Sequence, residues 1–436
     1  MLSYNLKLSL KSIFKYRFLS AMMVLAIALG IGLSMTIVTL YRMASNDPIP
    51  EKSNQLHVVR LDSWNPLEAF REPDIAPFQL TYMDAMMLRH SDIPVRQAAM
   101  FKTGSVLIPD EKNLLPFQVV ARATDRDFFS LFNVPFLYGS VWSESADEQG
   151  ALVTVISKQI NEKVFAGENS VGRVINTGKY SLKVVGVLDQ WQPTFKYYDV
   201  NNGPFDDVED LYLPFALTPS LQLPSWGNTN GWKDQVIDTY EDRLNSELIW
   251  IQYWAELTTQ DDVSDYHSFL DGYAQEQKKL GRFERPLNNQ VTPLMTWLTE
   301  QNVVGNETQV LLALAFMFLV VCLLNVMGLN LAKFSGKFTE VSIRRALGAK
   351  RSTLFMQQLI ESSMVGLIGG FFGVILALIG LAGVSMLIPA ISRLASMDAW
   401  MLSGSVLLSV FCTVLAGLYP TWRVCQIQPA NYLQTQ

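Results

Sequence analysis

Four stretches of the chain lose their polar positions almost entirely, and a long segment between the first two alternates short apolar runs with turn residues. A helix that crosses a bilayer needs about 20 mostly apolar residues. Residues 18–41, 310–331, 354–388 and 402–419 meet that length, the third being apolar from Met364 onward. The first stretch follows Lys7, Lys11, Lys15 and Arg17, as a signal peptide would. Its apolar run is too long for one and no small-residue cleavage site follows, so it reads as a retained anchor. Residues 1–17 place Leu2, Leu6, Leu10, Ile13 and Phe14 at helical spacing with lysines between them. That pattern predicts an amphipathic helix in the cytoplasmic interface, with a disordered basic tail as the alternative.

The segment 42–309 has another texture. Residues 55–61, 182–188 and 248–257 read as strands. Residues 77–89 and 261–279 read as helices, the latter through Val263, Tyr266, Phe269 and Tyr273. Pro77 suits a first helical turn. Residues 189–245 are rich in Asp, Asn, Gly, Pro and Trp and read as long loops or an elaboration on a core. The run Asp206, Asp207, Glu209, Asp210 reads as a solvated acidic face; a calcium loop is the alternative, without EF-hand spacing. The expected fold is therefore a membrane protein with four transmembrane α-helices plus an α+β extracytoplasmic domain.

Charge gives the orientation. Residues 43–307 hold 37 acidic and 21 basic side chains, whereas the rest hold 13 basic and three acidic ones. The basic excess borders the bilayer, so anionic membrane lipid is the expected partner and nucleic acid is not. Lysine and arginine cluster in the N-terminal tail and in the 332–353 loop, and Arg423 follows the last span. The 389–401 loop has only Arg393. The positive-inside rule then puts both termini and 332–353 in the cytoplasm, with 42–309 outside and 420–436 as a cytoplasmic tail.

Chemistry narrows the classes further. The three cysteines, Cys322, Cys412 and Cys425, all lie outside the acidic segment, which has no disulfide framework. His57, His90 and His267 have no metal-ligand spacing, so no metal site is expected. Neither G-x-S-x-G nor H-E-x-x-H occurs, which argues against an enzyme. Ala28 with Gly32, and Gly369 with Gly373, are small residues four apart that permit close helix packing. Polar groups in the spans are few (Ser34, Thr36, Thr39, Asn325, Asn330), and Glu361 sits at the cytoplasmic edge. That argues against an ion channel or a proton-coupled carrier.

The 332–353 loop contains Glu340-Val-Ser-Ile-Arg344-Arg345-Ala346-Leu347-Gly348-Ala349. This resembles the E-x-x-x-[RK]-x-A-[LI]-G-A signature of FtsX-like permeases of ABC transporters. Gln358 to Gly370 resembles the family's entry into its third span. Pro420, Arg423 and Pro429 resemble its ending, though Val424 and Cys425 replace the usual small pair. The outer segment resembles the MacB-like branch at Asp127-Phe128-Phe129, Gly139, Ala151 to Ser157, Val164 to Gly167, Val171 to Arg173 and Val184 to Val187. The resemblance implies that Glu340, Arg344, Arg345, Ala346, Leu347, Gly348 and Ala349 form a short helix that docks into an ABC ATPase. Gly348 would end that helix, and Glu340 could pair with Arg344 one turn on. The alternative is that these arginines serve only topology.

No Walker A loop is present, because Gly348-Ala-Lys350-Arg-Ser352 lacks the glycine spacing. ATP and Mg are therefore expected on a partner ATPase subunit, and no cofactor on this chain. The resemblance also implies mechanotransmission: ATP-driven motion passes through spans one and two, by way of a helical stalk, to the outer domain. It implies residence in the bacterial inner membrane and a second permease copy or paralogue. The atypical tail points to a heterodimer. Efflux with a periplasmic adaptor and an outer-membrane duct is the leading expectation. Lipoprotein release is the alternative within the family, followed by control of a cell-wall hydrolase. A membrane-anchored sensor or receptor is the alternative from another class.

Overall fold

The computed structural model describes residues 2–110, 114–303, 306–387 and 399–425. They form two compact units: Met1–Asn46 with Val304–Gln436, and Asp47–Val303.

The first unit is helical. The N-terminal helix covers Leu2–Lys15 and the first span helix Arg17–Ser45. The second span helix is Asn306–Ser335, the third Arg351–Leu387 and the fourth Ala399–Cys425. Among the described residues these four are long and apolar enough to cross a membrane. The third span packs against the first and the fourth, and the second against the first. Three expected boundaries move. Lys333, counted with the loop, lies inside the second span helix and is buried. The fourth helix continues through Pro420 to Cys425, since a proline removes one backbone donor without forcing the helix to stop when its neighbours hold it. The first span helix runs on to Ser45, past the expected end at Tyr41.

The second unit is built on one mixed sheet. Its strands are β1 (Leu56–Arg60), β2 (Leu80–Thr81), β3 (Arg96–Leu107), β4 (Phe117–Thr124), β5 (Phe136–Gly139), β6 (Val153–Ile156), β7 (Val174–Asn176), β8 (Ser181–Leu188), β9 (Leu211–Pro214), β10 (Ile249–Glu256) and β11 (Gln290–Pro293). The order is β11-β1-β10-β3-β4-β9-β6-β8-β5, with β2 on β10 and β7 on β8. The pairs β4–β9 and β6–β8 are parallel and the others antiparallel. Both faces are covered, which is why all eight residues of β10 are buried. Tyr253 and Ala255 face a core shared with Tyr266, Leu270 and Ala274 of the helix Gln260–Lys279. Trp254 faces an aromatic core with Phe128, Phe132, Tyr198 and Tyr212. The helix Asp127–Leu131 supplies Phe128 and Phe129 to that core. Gly139 is fixed by a positive φ of 67°, and a Cβ there would lie 2.2 Å from the Val185 carbonyl oxygen.

Two expectations for this unit fail. Residues 77–81 are not helical. Leu80–Thr81 pairs as β2, and the helix begins at Tyr82 under Thr81, whose hydroxyl accepts from the Asp84 N–H. Pro77 therefore starts nothing; the local N-cap chemistry of threonine decides the boundary. The 189–245 section is not mere elaboration, because β9 lies in the middle of the sheet between β4 and β6. Its acidic run is split. Asp206 and Asp207 are exposed, while Glu209 is fully buried. Glu209 accepts from Arg122 at 2.7 Å, from Lys196 at 3.2 Å and from the Tyr198 hydroxyl at 2.8 Å. Arg122 also pairs with Asp199, which in turn accepts from Gln252. Burial by itself would raise the Glu209 pKa; Arg122 and Lys196 outweigh it and hold the carboxyl well below its ordinary range. Arg122 stays charged for the same reason, with Glu209 and Asp199 overcoming its desolvation.

Candidate functional site

Between the second and third spans, Lys337 opens a short helix, Phe338–Ala346. Its last turn closes in a Schellman arrangement. The Gly348 N–H donates to Arg345 O at 3.0 Å and the Ala349 N–H to Arg344 O at 3.0 Å. Gly348 has φ +96°, a conformation that a residue with a Cβ adopts only with strain. Arg344 donates to Glu340 at 2.7 Å, one turn back, and to Gln357 of the third span at 3.3 Å. The helix is thus clipped to the span behind it. Ser342 faces inward and is buried; Arg345 is half-buried and has contacts of its own. Ala346 and Gly348 are exposed, and Ala349 is half-buried. Ile343 and Leu347 point outward, 46% and 83% exposed. Two large apolar side chains are thus left open at the tip of an anchored helix.

Behind the helix lies a cluster that sequence reasoning missed. Glu361 of the third span is 2% exposed and is flanked by Lys333 at 2.6 Å and Lys337 at 2.9 Å. The Ser12 hydroxyl of the N-terminal helix donates to Glu361 at 2.7 Å, and Lys333 donates to Ser20 of the first span at 3.1 Å. The Tyr16 hydroxyl donates to Gly336 O at 3.1 Å. A single carboxylate therefore joins three helices and the start of the short one. The available signal was a lone glutamate at the mouth of an apolar helix, with two lysines four apart where the preceding apolar run ends.

The small residues also meet. A Cβ on Gly369 would lie 2.8 Å from Ile27, and one on Gly373 would lie 2.9 Å from Ile31. A Cβ on Gly32 would lie 2.8 Å from Leu376 and 3.2 Å from Gly373 O. Ala28 is buried in the same seam. Glycine there lets the first and third spans approach backbone to backbone. Among the described residues no group of His, Cys, Asp and Glu could hold a metal ion. The side chains of Arg393, Arg423 and Cys425, and all of 426–436, lie outside the described residues.

Comparison with known families covers the chain almost from end to end. Residues 20–309 match the MacB-like periplasmic core domain and residues 312–429 the FtsX-like permease C-terminal region. The chain belongs to the MacB-like family of FtsX-type permeases. With its four apolar helices, this permease is a multi-pass membrane protein, and its family is a permease component of ABC transporters. It is 22% identical to the macrolide export ATP-binding/permease protein MacB of Bradyrhizobium diazoefficiens, over 99% of this chain and 60% of that protein. It is 24% identical to the pyoverdine export ATP-binding/permease protein PvdT of Pseudomonas entomophila, over 71% of this chain and 42% of that protein. The permease thus spans about half the length of these curated relatives. The crystal structure of the periplasmic region of MacB from Actinobacillus actinomycetemcomitans aligns with 59% of this chain and 96% of its own, at 14% identity and a TM-score of 0.38.

Proposed function

We propose that this permease is the membrane subunit of an exporter in which a partner ABC ATPase drives mechanotransmission to the domain 47–303, outside the bacterial inner membrane. The observation that carries the reading is the exposed pair Ile343 and Leu347 on a helix held from behind by Arg344, Lys337 and Glu361. Such a helix transmits a push, because its back is tied to the third span and its tip is free for a partner. A pore has less support: Glu361 and Lys333 neutralise each other, and Thr36 and Thr39 are turned onto backbone carbonyls at Gly32 and Met35. The names of the relatives concern export, which favours efflux over lipoprotein release. ATP and Mg belong to the ATPase, and a periplasmic adaptor and outer-membrane duct complete the route. Both termini and the short helix are cytoplasmic. The pairing is with a paralogous permease.

The test is the double variant Ile343→Asp/Leu347→Asp. It keeps the Schellman turn and the Glu361 cluster, so it should insert and fold normally. It should lose co-purification of the ATPase and abolish transport. Wild-type transport by this variant would overturn the docking role. Co-purification of a single permease species in an active complex would exclude the heterodimer.

A further inference from the structure

Next to the Glu361 cluster, a cavity of about 290 Å³ opens between the N-terminal helix, the short helix and the third span. Its walls divide by chemistry. Leu8, Phe334, Val341 and Leu354 make an apolar side. Lys11, Lys15, Lys337 and Arg344 make a mainly cationic side, with the Glu340 carboxylate among them. The charges do not cancel locally. With Lys333, five cations share two carboxylates, Glu340 and Glu361, a surplus of three. Glu340 is committed to Arg344 at 2.7 Å and reaches Lys15 only at 3.9 Å. Lys11 has no acidic partner among the described residues. Lys11 and Lys15, one turn apart, therefore border an open cavity with only the distant Glu340 carboxylate to share between them.

A positive-inside signal needs only lysines in water. It does not need a cavity, and it does not need an apolar wall facing them. An anion with a greasy continuation satisfies both halves. The same N-terminal helix leaves Leu10 and Phe14 exposed on its outer side, 42% and 75%, as a helix lying along acyl chains would. We infer that this cavity binds the phosphate-bearing headgroup of an anionic phospholipid, gripped by Lys11 and Lys15, with Leu8 and Phe334 against the start of its chains. The site does not depend on the ATPase reading. It would tie the N-terminal helix to the short helix through a membrane component, so that lipid composition sets how firmly the two move together.

Native mass spectrometry of the full chain in detergent tests this, with phosphatidylglycerol and phosphatidylcholine supplied in equal amounts. The wild type should retain phosphatidylglycerol preferentially. Lys11→Gln/Lys15→Gln should lower that preference roughly tenfold to thirtyfold, given what each lysine contributes near anionic lipid. Lys7→Gln/Lys350→Gln removes the same charge outside the cavity and should leave the preference unchanged. Millimolar inorganic phosphate should not displace the lipid. Equal retention of the two lipids by the wild type would overturn the site, as would an equal loss in both double variants. Displacement by inorganic phosphate would identify a soluble phosphate as the ligand and overturn the lipid assignment.

Discussion

Glu209 carries a charge with no exposed surface, and its worth is set by what remains if it is removed. Taking it away strands Lys196 and leaves Arg122 to Asp199 alone. Breaking a buried ion cluster from one side costs about 3–5 kcal/mol. Glu209→Ala should therefore lower the unfolding free energy of the outer unit by that amount, measured by urea titration followed by tryptophan fluorescence. The pH dependence has a fixed sign. The folded carboxyl sits below its ordinary 4.5, so its contribution is fully present above pH 4.5 and is lost as pH falls toward the folded value. Glu209→Gln should flatten the acid limb of a stability profile while leaving its neutral part lower. Glu361 holds a comparable cluster in the membrane unit. Glu361→Ala should destabilise more than a triple exchange of Lys333, Lys337 and Glu361 for methionine, because the single change leaves two ammonium groups unpaired. Neither role was legible in the sequence. An acidic run looks solvated until its partners, which come from β4 and from a loop, are known. The Arg122–Glu209 pairing spans 87 residues, beyond any local pattern.

At the scale of elements, legibility followed period and length. The four spans announce themselves because a single apolar segment can satisfy its own backbone in lipid only as a helix. Strands β1, β8 and β10 were readable as compact apolar runs. Strand β9 was not: four residues ending in proline, set among loop-forming neighbours, carry too little pattern, and only the sheet gives them a place. The helix starts at Tyr82, five residues past Pro77, because the Thr81 side chain caps it and the proline does not. The short helix was legible through its motif, and its glycine can be tested directly. Gly348→Val forces a β-branched residue to φ +96° and should fray the Schellman turn. Coupled ATP hydrolysis should fall while membrane insertion is unchanged. Gly373→Leu should push the first span off the third, since even a Cβ would lie 2.9 Å from Ile31. Disulfide trapping between cysteines at Thr36 and Ala377, whose hydroxyl and carbonyl oxygens lie 3.4 Å apart, would report the lost approach.

For the whole molecule, sidedness is the first thing to measure. In a cysteine-free background, cysteines at Val236 and Leu347, both largely exposed, should label from opposite faces of the membrane. Labelling of both from one face would refute the four-span topology. Partnership is the second. The second span exposes Val310, Leu314, Met317, Val321 and Leu324, with Leu311, Phe316, Phe318 and Val320 beside them, an apolar face for the proposed second permease to cover. Met317→Cys should cross-link to another permease chain, and Phe371→Cys on the third span should not. The charge segregation that revealed two units in the sequence says nothing about the order in which the outer one can assemble, and that order follows from the sheet. Strand β1 is the first to be synthesised, yet its neighbours are β10 and β11. Its pairing partners are made only after residues 249–293 emerge. At roughly 5–20 residues per second, β1 waits on the order of 10–40 s with both edges bare. Over that interval a newly made chain depends on whatever shields an unpaired apolar strand, and a shortage of such shielding should reduce the yield of the permease before any defect in transport could be seen.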